Sequence, residues 1–179
     1  MPAFPPASRS LVSAESLPSP LAPLRLVLDT NIVIDTFLFR SELSAPLRAA
    51  LAVGGVEIFA SPATLTELER VLGYPVLKIS AERQAAVYAR YLDACCQCSP
   101  LPGNPTIRFL PRCRDRDDQV FIQLAAAIHA DWLVSRDKEV LRVGRNKRNP
   151  PPFRIADLQW PELVTVLEEA TARAVQGNV

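Results

Sequence analysis

Apolar residues along this chain follow two alternating patterns: short unbroken runs, and longer stretches where they recur every three or four positions. LRLVL at 24–28 is a branched run ending at Asp29, and it predicts a buried parallel strand. Residues 30–39 and 45–53 carry helical spacing, Gly54-Gly55 interrupts it, and VEIFA at 56–60 predicts a second strand. Ser61-Pro62 opens a helix that reaches about Leu72 and is stopped by Gly73 and Pro75. Residues 81–95 predict a further helix, followed by a weak strand near 97–100 and a Pro-rich loop. A helix at 118–129, a strand at 132–135, a short helix at 137–143, a strand at 153–155 and a helix at 162–174 complete the chain, which has no internal repeat.

Strands alternating with helices at this spacing predict βαβ units: an α/β fold with a parallel sheet and helices on both faces. In such sheets the ligand crevice lies beyond the carboxyl ends of the strands, near the point where strand order reverses. Residues just after each strand therefore matter most.

Composition changes this picture little. The 179 residues suit one domain, expected over 23–179, with 1–22 a disordered leader rich in Pro, Ser and Ala. That leader lacks the basic start and unbroken apolar core of a signal peptide. No apolar run approaches the roughly 20 residues of a membrane span, so a cytoplasmic protein without membrane contact is expected. A formal net charge of +1 excludes a grip on nucleic acid by bulk positive charge and leaves local patches or a bound cation. Cys95-x-x-Cys98 has zinc spacing, but the chain has no second such pair and one histidine, His129, so reduced, partly buried thiols are expected instead.

Acids stand where the crevice rule points. Asp29 directly follows the first strand, Asp137 follows the 132–135 strand after one residue, and Asp118 opens a helix. Asp118 shares a helical face with Phe121, Ile122 and Ala125, so its carboxylate lines up with the apolar stripe and calls for a cation or for solvent at the helix end. Capping is the competing role for Asp118 and Asp137. Glu67 and Glu69 flank opposite edges of the apolar stripe on 62–72, and periodicity does not choose between them. Carboxylates of this kind suit Mg²⁺ or Mn²⁺, which take oxygen ligands and activate water without a catalytic His or Ser. Phosphate-binding glycine loops are absent, and a lone histidine disfavours a Ser-His-Asp triad. Between Arg142 and Arg154 the chain is basic without an acid, so Arg145, Lys147 and Arg148 are candidate phosphate contacts, with a solvated loop as the alternative.

LRLVLDTNIVID at 24–35, SPATLTELERVL at 61–72 and DRDDQVFIQLAAAIHADWLVSRDKEVL at 115–141 resemble, in order and separation, the PIN domains. The likeness is to the bacterial VapC-like branch, described as toxin components of toxin–antitoxin systems. It implies a three-layer α/β/α sandwich with a central parallel sheet. It also implies an acidic metal site of Asp29, Glu67, Asp118 and Asp137, choosing Glu67 over Glu69, with Thr30, Asn31 and Ser135 as polar supports and Asp117 as the substitute for Asp118. Mg²⁺- or Mn²⁺-dependent cleavage of single-stranded RNA, an antitoxin partner and a homodimer are implied with it. Arg116 stands where proline is common in the family, and Ser135-Arg136 where Thr-Gly is common; neither removes an acid.

Overall fold

The structure is a computed structural model and describes residues 22–98 and 109–177. The expected leader therefore lies, except for its last residue, outside the described residues, as does the Pro-rich loop at 99–108. The elements are β1 (Leu24–Leu28), α1 (Thr30–Val33), α2 (Ala45–Ala52), β2 (Val56–Ala60), α3 (Pro62–Leu72), α4 (Ala81–Ala94), β3 (Cys95–Gln97), α5 (Gln119–Ala127), β4 (Trp132–Val134), α6 (Lys138–Gly144), β5 (Arg154–Ala156) and α7 (Pro161–Gly177). The strands pair in parallel in the order β3-β2-β1-β4-β5.

Alternation along the strands divides the core into two. Leu26, Leu28, Ile58, Trp132 and Val134 face one side, where α1–α4 and α7 supply Leu47, Leu68, Val87, Tyr91 and Leu167. Val27, Leu133 and Ile155 face the other, against Phe121, Ile122 and Leu124 of α5 and Val140 and Val143 of α6. This is the expected three-layer α/β/α arrangement. β1 lies between β2 and β4, so the chain turns to opposite sides on leaving its two halves, and the crevice opens between the carboxyl ends of β1 and β4.

Two elements depart from expectation. The helix expected over 30–39 is α-helical only to Val33. Residues Ile34–Phe39 widen into a π turn, which ends at Arg40 in the left-handed region (φ 52°) with the Ser41 N–H closed on the Asp35 carbonyl. The weak strand expected near 97–100 sits at Cys95–Gln97, because α4 passes into extended backbone at Cys95 with no intervening loop. The strand also resolves the cysteine motif. An odd spacing on a strand sends side chains to opposite faces, and Cys95 packs with the first core while Cys98 packs with the second. All four thiols are free, and burial pushes the Cys95 thiol up to about 11.

His129 ends the α5 segment in the left-handed region (φ 52°), its N–H on the Ala126 carbonyl, so it caps rather than reacts. Among the described residues no helix is long and apolar enough to cross a membrane.

One glycine holds two layers together. A Cβ on Gly55 would lie 2.6 Å from the Ala170 carbonyl oxygen of α7, too close to be relieved without moving backbone. Gly55→Ala is therefore expected to destabilise the fold by about 1–3 kcal/mol, read from denaturant unfolding. An unchanged midpoint would show that α7 is not tightly docked there.

Candidate active site at the carboxyl edge of the sheet

Asp29 is placed by the backbone on both sides. Its N–H donates to the Val134 carbonyl at 2.9 Å, and its own carbonyl accepts from Ile32 and Val33 to start α1. Its carboxylate makes no helix cap. Instead Oδ2 accepts from Asn31 Nδ2 at 2.9 Å and from the Ser135 hydroxyl, while no side-chain donor reaches Oδ1 among the described residues. Asp29 is buried, and desolvation raises its pKa; the Ser135 and Asn31 hydrogen bonds work against that rise, and the Asp137 charge adds to it.

Ser135 and Asn31 lace the two sides of the crevice together. The Ser135 hydroxyl donates to Asp29 and accepts from the Asp137 N–H at 3.0 Å. Asn31 Oδ1 accepts from the Arg136 N–H at 3.1 Å. Asp137 caps α6, its Oδ1 accepting from Glu139 at 2.7 Å and Val140 at 3.3 Å. Capping and membership of the acidic cluster are therefore both realised by this one residue.

Asp118 immediately precedes α5, half-buried, with no side-chain capping bond. Burial pushes its carboxyl up to about 7, and the charges of Asp29, Asp137, Asp115 and Glu67 push in the same direction. The fields of the other three acids singled out from the sequence, Asp29, Glu67 and Asp137, thus meet at Asp118. Glu67 contributes as a partly compensated charge, since Arg70 grips both its oxygens at 2.9 and 2.7 Å. Glu69 lies away from this cluster, lining a cleft with Ala81, Gln84 and Tyr88 of α4. Asp117 is exposed, its N–H turned to Asp115 Oδ1, and its charge falls on Arg70. Thr30 is buried, and its hydroxyl has no hydrogen-bond partner among the described residues.

Among the described residues no three His, Cys, Asp or Glu side chains form a ready-made metal cage. Mg²⁺ rarely uses one, being bound by one or two carboxylates with waters and substrate phosphates completing its shell. The donor set here is oxygen throughout, and an acid raised to about 7 by burial, with neighbouring acid charges pushing the same way, marks a site short of positive charge. The residues present fit a hard divalent cation.

Arg145, Lys147 and Arg148 are not brought to the acids. Helix α6 starts beside Asp137 at the carboxyl edge and runs back, so the loop after it lies at the amino edge, where Arg154 begins β5 and stacks on Trp132 at the start of β4. Parallel topology imposes this: the chain must return to the amino edge before the next strand. Two residues not anticipated from sequence do stand at the crevice. Arg136 pairs with Asp35 across 101 positions of sequence, a separation that leaves no local signal.

Because Asp118 binds its proton more tightly when folded, the metal-free protein should lose stability as pH rises from about 4 towards about 7. Asp118→Asn removes that loss. In EDTA its Tm is expected to exceed the parent's at pH 8, with a smaller gain at pH 5; a gain independent of pH would show that Asp118 does not titrate in this range.

The family model described as PIN domain matches residues 25–139, well over half of the chain. A chain in the crystal structure of VapBC2 from Rickettsia felis, bound to a DNA fragment from their promoter, is similar in fold. Its TM-score is 0.52 at 15% identity, over 75% of this chain and 98% of that one. No curated protein sequence matches. The family match spans β1 to the start of α6 and so contains Asp29, Glu67, Asp118 and Asp137; the chain belongs to the PIN domain family.

Proposed function

We propose that this protein is a divalent-metal-dependent endoribonuclease that hydrolyses phosphodiester bonds of single-stranded RNA, with Mg²⁺ or Mn²⁺ as its ion. The observation carrying this reading is Asp118, pushed to about 7 by burial and by Asp29, Asp137, Asp115 and Glu67 at the strand-order switch point of a PIN domain. Asp29 and Asp118 would hold the ion, with Asp137 beside them. When bound, such an ion lowers the pKa of water and offsets charge developing on the phosphate.

The chain's own residues prepare that chemistry. Ser135 and Asn31 fix Asp29 through Oδ2, so the other oxygen is aimed without rotational freedom. Asp137 is fixed in turn by the α6 backbone it caps. Asn31 serves here as a donor to Asp29, not as the second acid that a phosphatase with an Asp at the first strand tip requires. The similarity to a VapBC2 chain supports a further part of the proposal: this protein is the toxin of a type II toxin–antitoxin pair, with an antitoxin partner. A homodimeric form is proposed with it.

Single-stranded RNA is expected to be cleaved internally in Mg²⁺ or Mn²⁺ and left intact in EDTA. Asp29→Asn keeps an oxygen for both donors at Oδ2, so it should fold normally while cleavage falls to the EDTA background. Ser135→Ala, which only releases Asp29, should cost about 10–100-fold in activity. Cleavage that persists in Asp29→Asn, or that ignores EDTA, would overturn the reading.

A further inference from the structure

The segment from Leu110 to Asp118 lies just before α5, and its side chains alternate as far as Arg114, beyond which Asp115, Arg116 and Asp117 are all exposed. Pro111 and Cys113 turn inward, while Arg112, Arg114 and Arg116 are exposed. Cys113 is anchored in the second core beside Phe121 and Ile122. The Gln119 side chain then clamps the backbone on either side of Arg112, accepting from the Cys113 N–H at 2.7 Å and donating to the Pro111 carbonyl at 3.4 Å. Three arginines are thus displayed from a backbone pinned to the first turn of α5.

None of the three has a carboxylate within ion-pair distance among the described residues, whereas Arg70, Arg136, Arg142 and Arg154 all do. Two open clefts run along them. One, of about 570 Å³, is bordered by Arg112, Arg114, Arg116, Gln119 and Gln123. The other, of about 610 Å³, is bordered by Arg114, Arg116, Asp115 and Glu139. Arg114 and Arg116 are common to both, so the two form one trough. Its upper end reaches the acids: Asp115 acts electrostatically on Asp118, and Glu139 donates its N–H to Asp137.

We propose that Arg112, Arg114 and Arg116 form a phosphate-binding rail that leads single-stranded RNA along the start of α5 into the acidic crevice. The proposal rests on the nuclease reading for its destination, but the binding it asserts is separate. A row of unpaired guanidiniums in an open polar trough suits a chain of phosphates, each taken by a planar fork of donors. A protein segment would need an apolar anchor pocket at its centre, and this trough is bordered chiefly by Arg, Gln and acidic side chains. In a chain whose net charge is +1 the rail would hold phosphates by positioned guanidinium forks and not by local net charge, since Asp115, Asp117 and Asp118 balance the three arginines.

The test is fluorescence anisotropy of a labelled oligouridylate in EDTA across a KCl series. It compares the parent, a combined Arg112→Gln, Arg114→Gln, Arg116→Gln variant, and a Lys147→Gln, Arg148→Gln control in the loop after α6, which meets the start of the rail segment through Asn149 and the Phe109 carbonyl. Each single-strand phosphate contact contributes about 0.7 to the slope of log K against log salt, so the triple variant should bind more weakly with a slope shallower by about 2. The control should match the parent. In Mg²⁺ the triple variant should raise KM and keep kcat at saturating RNA. Equal affinity and slope in parent and triple variant, a loss confined to the control, or no binding by the parent each overturns the rail. Binding that behaves as expected in a parent that cleaves nothing would overturn the nuclease reading and leave the rail standing.

Discussion

The structure at the crevice depends on one buried carboxylate. Asp29 is almost wholly removed from water at the tip of the central strand, and burying a charge there is unfavourable unless donors replace the lost solvent. Asn31 and Ser135 supply them, one from the first turn of α1 and one from the end of β4. Because the donors come from opposite sides of the crevice, satisfying Asp29 also sets the separation of the two loops. The Asp29 N–H on Val134, the Ser135 N–H on Ala156 and the Arg136 N–H on Asn31 carry the same constraint across to β5.

Around that centre the acids differ in how their charge is compensated. Glu67 is held by Arg70, Asp35 by Arg136, and Asp137 by two backbone N–H groups of α6. Asp118 has no such partner among the described residues, and burial together with the surrounding acid charges displaces it to about 7. A cation entering the crevice, as proposed above, would gain most where compensation is least, beside Asp118. The ion proposed above would offset a shortage of positive charge, which the neighbouring ion pairs leave at Asp118.

Sheet topology decides which basic residues stand near this site. In a parallel sheet every connection must return to the amino edge, so a loop following a helix faces away from the crevice and a loop preceding one faces towards it. Arg145, Lys147 and Arg148 follow α6; Arg112, Arg114 and Arg116 precede α5. Counting charge along the chain favours the first group, which is denser. Only the direction of the chain through the layers favours the second.

The apolar runs and helical spacings by themselves determined the strands at 24–28 and 56–60, the order of elements, and Asp29 and Asp137 as residues at strand tips, because these depend on neighbours within a few positions. Helical periodicity also singled out Asp118, and the wider resemblance in the three matching segments chose Glu67 over Glu69. The rest required the tertiary structure. The π turn at 34–39, the pairing of Arg136 with Asp35, and the meeting of Ser135 with Asp29 across 106 positions depend on how layers pack, and no local pattern records them. Cys95 and Cys98 show the same division: their spacing resembles a metal site until the strand sends them to opposite faces of the sheet. Short-range periodicity is imposed by backbone geometry and is therefore written in the sequence, whereas desolvation and charge compensation are imposed by whatever the fold places alongside.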